Sequence, residues 1–285
     1  MGGVVDEAAP GQPAAPLRAL IGGYSGYRQA AVPPARHRGL PSPYLTVIFT
    51  LDEPLIIAEH PDPGQPASCH LTLAGGLHTS PAVISHNGWQ SGIQLALSPL
   101  AARAVLGIPA GELAGIDVEG TDVLGPAASR IQRRLQEEAC WPERFAILDE
   151  LLLARIGNSR PAVSPEISYA WRRLLATGGT APVGGLAQET GWSDRHLRAR
   201  FRAEIGLTPK AAARVVRFHR ARQLLQRRAA AGGALDLAGL AAHCGYYDQA
   251  HLDRDFNALA GCPPTRWLVQ EFRYFQASSS APEAG

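Results

Sequence analysis

The 285-residue chain has no run of about eighteen apolar residues and no basic amino terminus followed by an apolar stretch, so neither a membrane span nor a secretory signal is expected. The expected location is the cytoplasm. Four cysteines, Cys69, Cys140, Cys244 and Cys262, share no paired spacing. That excludes a disulfide framework and a cysteine zinc cluster, and leaves reduced, buried thiols as the expectation. There is no nucleophile elbow, phosphate loop or paired-carboxylate pattern. His37, His60, His70, His78 and His86 lie in one region, yet none makes a His-x-His pair beside a carboxylate. No catalytic residue, cofactor or metal site is therefore expected.

Lysine is almost missing from the last third, where Lys210 stands alone among arginines. Residues 164–275 carry sixteen basic and nine acidic side chains, about +7, whereas the whole chain is only +2. The remainder is therefore about −5. A basic lobe on a near-neutral chain is the electrostatic footprint of a nucleic-acid binder, and arginine adds bidentate hydrogen bonding.

The pattern divides the chain into two domains. Residues 1–16, rich in Gly, Ala and Pro, read as a disordered tail, and 277–285 read likewise. Short runs rich in Val, Ile, Leu, Phe and Thr at 44–51, 70–73, 82–85 and 91–97 read as strands between turn signals such as His86-Asn87-Gly88. Helical periods follow at 99–106, 127–138 and 141–156, the last with Phe145, Leu148, Leu151 and Leu152 on one face. The fold class expected is α+β. An antiparallel β barrel with trailing helices occupies 17–157, a linker 158–163, and an all-α domain 164–276.

The all-α domain contains a repeat. Leu186, Ala187, Gly191 and Trp192 reappear as Leu240, Ala241, Gly245 and Tyr246, 54 positions on. Leu197, Phe201, Gly206 and Pro209 match Leu252, Phe256, Gly261 and Pro264 at an offset of 55, so the second copy has one more residue in its turn. Each copy reads as a short helix, a glycine turn and a second helix: a helix-turn-helix at 183–205 and another at 236–260. A linker helix at 209–228, capped by Thr208 and started by Pro209, sets the distance between them.

The pattern Leu-Ala-x-x-x-Gly-Trp-Ser with Leu197 and Phe201, the Gly206-Leu207-Thr208-Pro209 corner, and Gly245-Tyr246-Tyr247-Asp248-Gln249 with Gly261-Cys262-Pro263-Pro264 resemble the DNA-binding domain of the AraC/XylS family of bacterial transcription regulators. The resemblance covers about 164–275 and implies a seven-helix domain with two helix-turn-helix units. Carried over residue by residue, the family's DNA-facing positions fall on Arg195, His196, Arg198 and Arg202 in the first unit and on Gln249, Ala250, Asp253 and Arg254 in the second. An arginine frequent in the family is kept as Arg254 but replaced by Ala199 in the first unit. His196 and His251 are equally open to packing against their own helices, and Trp192 and Tyr246 read as packing residues.

The strand-then-helix half resembles, in arrangement, the cupin-like sensory domain that precedes many such domains. The expected function is a sequence-specific regulator that binds double-stranded DNA, with a small-molecule effector in the N-terminal domain, a homodimer among its assemblies, and RNA polymerase as partner if it activates. Two alternatives stay open: a constitutive regulator whose barrel only mediates self-association, and a cupin-type enzyme fused to a DNA-binding module. An apolar cavity with a few polar groups favours the sensor, a solid barrel the constitutive form, and three histidines with a carboxylate the enzyme.

Overall fold

The computed structural model describes residues 3–157, 163–232 and 235–279. The first half builds two antiparallel sheets. One has the order β1-β2-β9-β4-β7-β10, from Val5–Gly11, Ile21–Ala30, Gln90–Leu97, Leu45–Thr50, Thr72–Gly75 and Asp117–Glu119. The other, β3-β8-β5-β6, uses Ala35–Gly39, Ala82–His86, Leu55–Glu59 and Ser68–His70. Four helices, α1 (Ala102–Leu106), α2 (Gly120–Leu124), α3 (Ala127–Glu137) and α4 (Trp141–Gly157), cover the larger sheet.

Strand alternation decides what each side of that sheet meets. On β4, Leu45, Val47 and Phe49 join the main core with Ile131, Leu135, Leu148 and Leu152 of α3 and α4. Ile48 points the other way, into a smaller cluster with Leu55, Ile57 and Leu73 between the sheets. On β9, Ile93, Leu95 and Leu97 again face the helices, while Gln94 and Ala96 line the space between the sheets. A continuous apolar run such as β4 therefore reflects a strand covered on both faces.

The expected disorder of 1–16 is corrected: Val5–Gly11 is a strand paired with β2 from Val5↔Ala30 to Gly11↔Tyr24. An edge strand needs little apolar surface, because its backbone hydrogen bonds hold it, and Pro10 is tolerated at an edge. The α4 helix locks the segment down. Asp149 accepts from the Ala14 amide at 3.0 Å and from the Tyr24 hydroxyl at 2.8 Å, and the Trp141 indole donates to Glu7 at 2.7 Å. At the other end the final helix runs to Ser279, so 277–279 are helical, and 280–285 lie outside the described residues. The linker at 158–163 lies outside them except for Val163. The run 70–73 is split, because β6 ends at His70 and β7 begins at Thr72 in the other sheet. Cys244 and Cys262 are buried as expected, but Cys69 and Cys140 are exposed. Cys69 sits on the sheet-edge strand β6 and Cys140 in the turn before α4.

The described residues of the C-terminal half form seven helices: α5 (Pro165–Ala176), α6 (Val183–Thr190), α7 (Asp194–Ile205), α8 (Pro209–Ala230), α9 (Leu237–His243), α10 (Gln249–Ala260) and α11 (Pro264–Ser279). The first unit is not a separate body. Trp171, Leu186, Leu197, Phe201 and Ile205 belong to the same buried cluster as the barrel's Leu45 and Ile93. The second unit has its own core, with Phe218, Leu240, Leu252, Phe256 and Trp267.

The barrel grips the end of α7. Gly111, in a 3-10 turn over Ala110–Leu113, leaves no space for a Cβ against the Ala203 carbonyl. Arg103 of α1 makes a two-pronged ion pair with the buried Glu204, at 2.9 and 2.8 Å. Removing one partner strands a buried carboxylate, which costs more than removing both. Arg103→Met is expected to destabilise the protein by about 2 kcal/mol, with Arg103→Met/Glu204→Met recovering most of the loss in urea unfolding. Equal losses in the single and double variants would contradict this role.

Candidate nucleic-acid interface and interdomain cavity

Both helix-turn-helix units are built by the same local devices. Gly191 and Gly245 end the first helix of each unit at φ of 70° and 76°, a left-handed backbone that side chains resist. Ser193 Oγ then accepts from the His196 amide at 3.3 Å and caps α7. In the second copy Asp248 Oδ1 accepts from the His251 amide at 2.7 Å and caps α10. The extra residue of the second copy is Tyr247, which projects from the turn 92% exposed.

Beyond each cap the helix turns one face inward and one outward. Leu197 and Phe201 are buried on α7, and Arg195, His196, Arg198 and Arg202 are exposed. Leu252 and Phe256 are buried on α10, with Gln249, Ala250 and Arg254 exposed and Asp253 half-buried. His196 stands edge-on to Trp192 at 4.6 Å, and His251 edge-on to the buried Tyr246 at 5.1 Å. Ala199, which replaces an arginine frequent in the resembled family, is exposed between Arg198 and Arg200.

The arginines of α8, which contribute much of the basic charge in the sequence, have structural partners. Arg214 Nε donates to the buried Asp255 of α10 at 2.6 Å. Arg217 donates to the Gly179 carbonyl at 3.1 Å and lies 5.4 Å above the Tyr246 ring, so it bridges the two units. Arg220 meets His243 of α9 at 3.3 Å. These contacts tie α8 to the α5–α6 turn, α9 and α10.

Between the sheets and α8 lies a cavity of about 690 Å³. Ile48, Ile57, Leu73 and Ile84 give it an aliphatic patch, beside polar groups that include Ser42, Thr46, His78, Gln94 and Asp117. Its outer wall comes from the DNA-binding half: Leu175 of α5 and Val216, His219, Arg220 and Arg222 of α8. The cavity is lined mainly by the N-terminal domain, where an effector is expected, and α5 and α8 add a wall from the other half. Sequence reading missed Arg38 and Arg222 as cavity residues. The α8 sequence held one usable signal, arginines and a histidine on a helix face without a solvated pattern.

Burial sets the protonation of the cavity groups. His219 is held down to about 3 by burial and by the Arg222 charge, and His37 to about 4 by burial and His86. Burial also lowers Arg222, to about 10, with Glu271 opposing. Burial raises the Asp117 carboxyl, while three of the histidines expected near the strands, His60, His78 and His70, lower it. His60 pairs with Asp117 at 3.4 Å and His70 with Glu119 at 3.3 Å. Among the described residues no group of three or more His, Cys, Asp or Glu is placed to hold a metal ion, and no helix is long and apolar enough to cross a membrane.

Residues 186–270 match the family described as a helix-turn-helix domain. That segment is a helix-turn-helix domain. The match runs from α6 into α11 and takes in both turn glycines. No curated protein matches the chain. Among solved structures it is similar to ToxT from Vibrio cholerae, at 8% identity and a TM-score of 0.48 over 87% of this chain and 97% of that one. ToxT with bound unsaturated fatty acid gives 11% and 0.45 over 94% and 95%. The C-terminal domain of AraT, a response regulator from Geobacillus stearothermophilus, gives 17% and 0.33 over 43% and 93%.

The cavity histidines make stability depend on pH in a definite direction. His219 and His37 stay neutral in the folded protein down to about 3 and 4, whereas the unfolded chain protonates them near the ordinary 6.5. The unfolded state then binds more protons, so stability falls as pH drops from about 6.5 and the effect ends below their folded values. His219→Gln is expected to flatten the dependence between pH 6 and 4 by about 1.4 kcal/mol per pH unit. Urea unfolding at a series of pH values measures it, and an unchanged slope would place His219 in solvent.

Proposed function

We propose that the protein is a sequence-specific transcription regulator that reads promoter or operator DNA with α7 and α10 and is controlled by a small molecule in the interdomain cavity. The observation that carries the DNA half is the outward face of both capped helices on a common rigid scaffold. Arg195, Arg198 and Arg202 offer planar forks that suit guanine or phosphate. Gln249 suits adenine, Ala250 a thymine methyl, Asp253 a cytosine amino group and Arg254 guanine. His196, tied to Trp192, is assigned to backbone contact. In an activating role the bound chain would meet RNA polymerase, as a monomer or as a homodimer on a repeated site.

The effector half is supported by the cavity, whose lining mixes aliphatic side chains with polar and charged groups and comes from both halves. A solid barrel would have favoured a constitutive regulator.

Selection of bound sequences from random duplexes tests the DNA half. The expected motif has two blocks. Arg195→Ala and Arg198→Ala are each expected to relax one block and Arg254→Ala the other, at a cost of about 1–3 kcal/mol per lost bidentate contact. A motif unchanged in all three variants would remove these residues from the interface. Affinity for the selected site should also fall with salt, by a log–log slope of about −0.9 for each phosphate neutralised. A slope near zero would contradict a phosphate-anchored complex.

A further inference from the structure

The two helix-turn-helix units share a plan but not a charge. Residues 183–205 carry four arginines against three carboxylates, whereas 236–260 carry one arginine, Arg254, against four carboxylates. Most acids of the second unit serve its own architecture. Asp236 caps α9 by accepting from the Gly239 amide at 2.8 Å, Asp248 caps α10, and Asp255 accepts from Arg214. The unit is still left with little positive charge to set against phosphate, whose neutralisation is the main sequence-independent source of DNA affinity. Neutral hydrogen-bond donors are the other route to phosphate oxygens. The residue found only in the second turn is such a donor. Around Tyr247 the backbone is pinned. The Gly245 amide donates to the Ala242 carbonyl at 3.1 Å, and the amide of the buried Tyr246 to the Ala241 carbonyl at 2.9 Å. The Tyr247 amide itself donates to His251 Nδ1 at 3.4 Å. The side chain that this turn presents is 92% exposed.

We propose that Tyr247 is an uncharged DNA anchor, its hydroxyl donating to a backbone phosphate beside the bases read by α10. The proposal rests on the DNA half of the function given above. A recognition helix contacts base edges with its amino-terminal residues, so the residue just before the cap of α10 comes to the edge of the groove, where the phosphates run. The first copy has no equivalent, because Trp192 leads directly to the cap Ser193. There the exposed arginines of α7 supply the phosphate contacts instead. The two units thus hold DNA by different physics, the first by charge and the second by a hydrogen bond whose backbone is set in advance by the turn. A neutral donor releases no counterion, so its contribution persists at salt concentrations that weaken the first unit.

The test uses the full chain and a duplex carrying its selected site. Tyr247→Phe is expected to lower affinity about tenfold, as for the loss of one hydrogen bond to a charged group, without changing the log–log salt slope. Tyr247→Lys is expected to bind with a slope steeper by about 0.9, because it turns the same contact into an ionic one. Single methylphosphonates are then scanned through the second block. One position is expected to cost the wild type about as much as Tyr247→Phe does, and to cost Tyr247→Phe nothing more. Urea midpoints of the three proteins should coincide, so that the loss reads a contact rather than folding. The proposal is overturned if Tyr247→Phe binds as tightly as the wild type, if its salt slope changes by about one, or if every methylphosphonate costs the variant and the wild type alike. Equal DNA affinity with reduced transcription would move the hydroxyl to a protein partner and overturn it as well. A wild type that selects no duplex would sink the DNA reading itself, whereas a wild type that binds its site no tighter than Tyr247→Phe sinks the anchor alone.

Discussion

The helix α8 packs against both helix-turn-helix units and the cavity, and its run of 22 residues constrains all of them. Ala212 and Ala213 on one side pack into the core shared by the first helix-turn-helix unit and the barrel. Val215, Phe218, Ala221 and Leu225 belong to the core of the second. Val216, His219 and Arg222 close the cavity. At about 1.5 Å per residue the helix spans about 33 Å, close to one turn of B-form DNA. A rod of that length, pinned at both ends by buried side chains, relates α7 and α10 to each other and to the cavity.

The same helix explains how one residue type serves two ends. Glu204 near the buried end of α7 is taken by Arg103 of α1, and among the described residues no ion pair involves the exposed arginines of α7. Those of α8 are spent on internal joints: Arg214 to Asp255, Arg217 to Gly179 and Tyr246, Arg220 to His243. The charge excess of the C-terminal third therefore overstates the charge offered to phosphate. It also concentrates the available charge on the first unit, since α10 carries Asp253 and Asp255 beside Arg254.

The C-terminal half was legible in the sequence because its determinants are local. Turn glycines, the caps Ser193, Thr208 and Asp248, and inward pairs such as Leu197 with Phe201 specify helices and their facing within a few residues. The strand half was legible only where runs are apolar. β4 and β9 stood out because both faces are covered, but β1, with the sequence Val-Asp-Glu-Ala-Ala-Pro-Gly, is held by backbone pairing and by α4, about 135 residues away. The cavity was least legible, since its wall joins Arg38 to Arg222 and Glu271 across the whole chain. His37 and His78 gave a hint of polar groups near the strands without telling that α8 would seal them in.

The central claim is that one rod holds two reading helices at the spacing of successive major grooves. Methylation interference on a selected binding site, with the intact protein, measures this directly. The account predicts two clusters of interfering guanines on one face of the duplex, with centres about 10–10.5 base pairs apart. A single cluster, or two separated by half a turn on opposite faces, would contradict it.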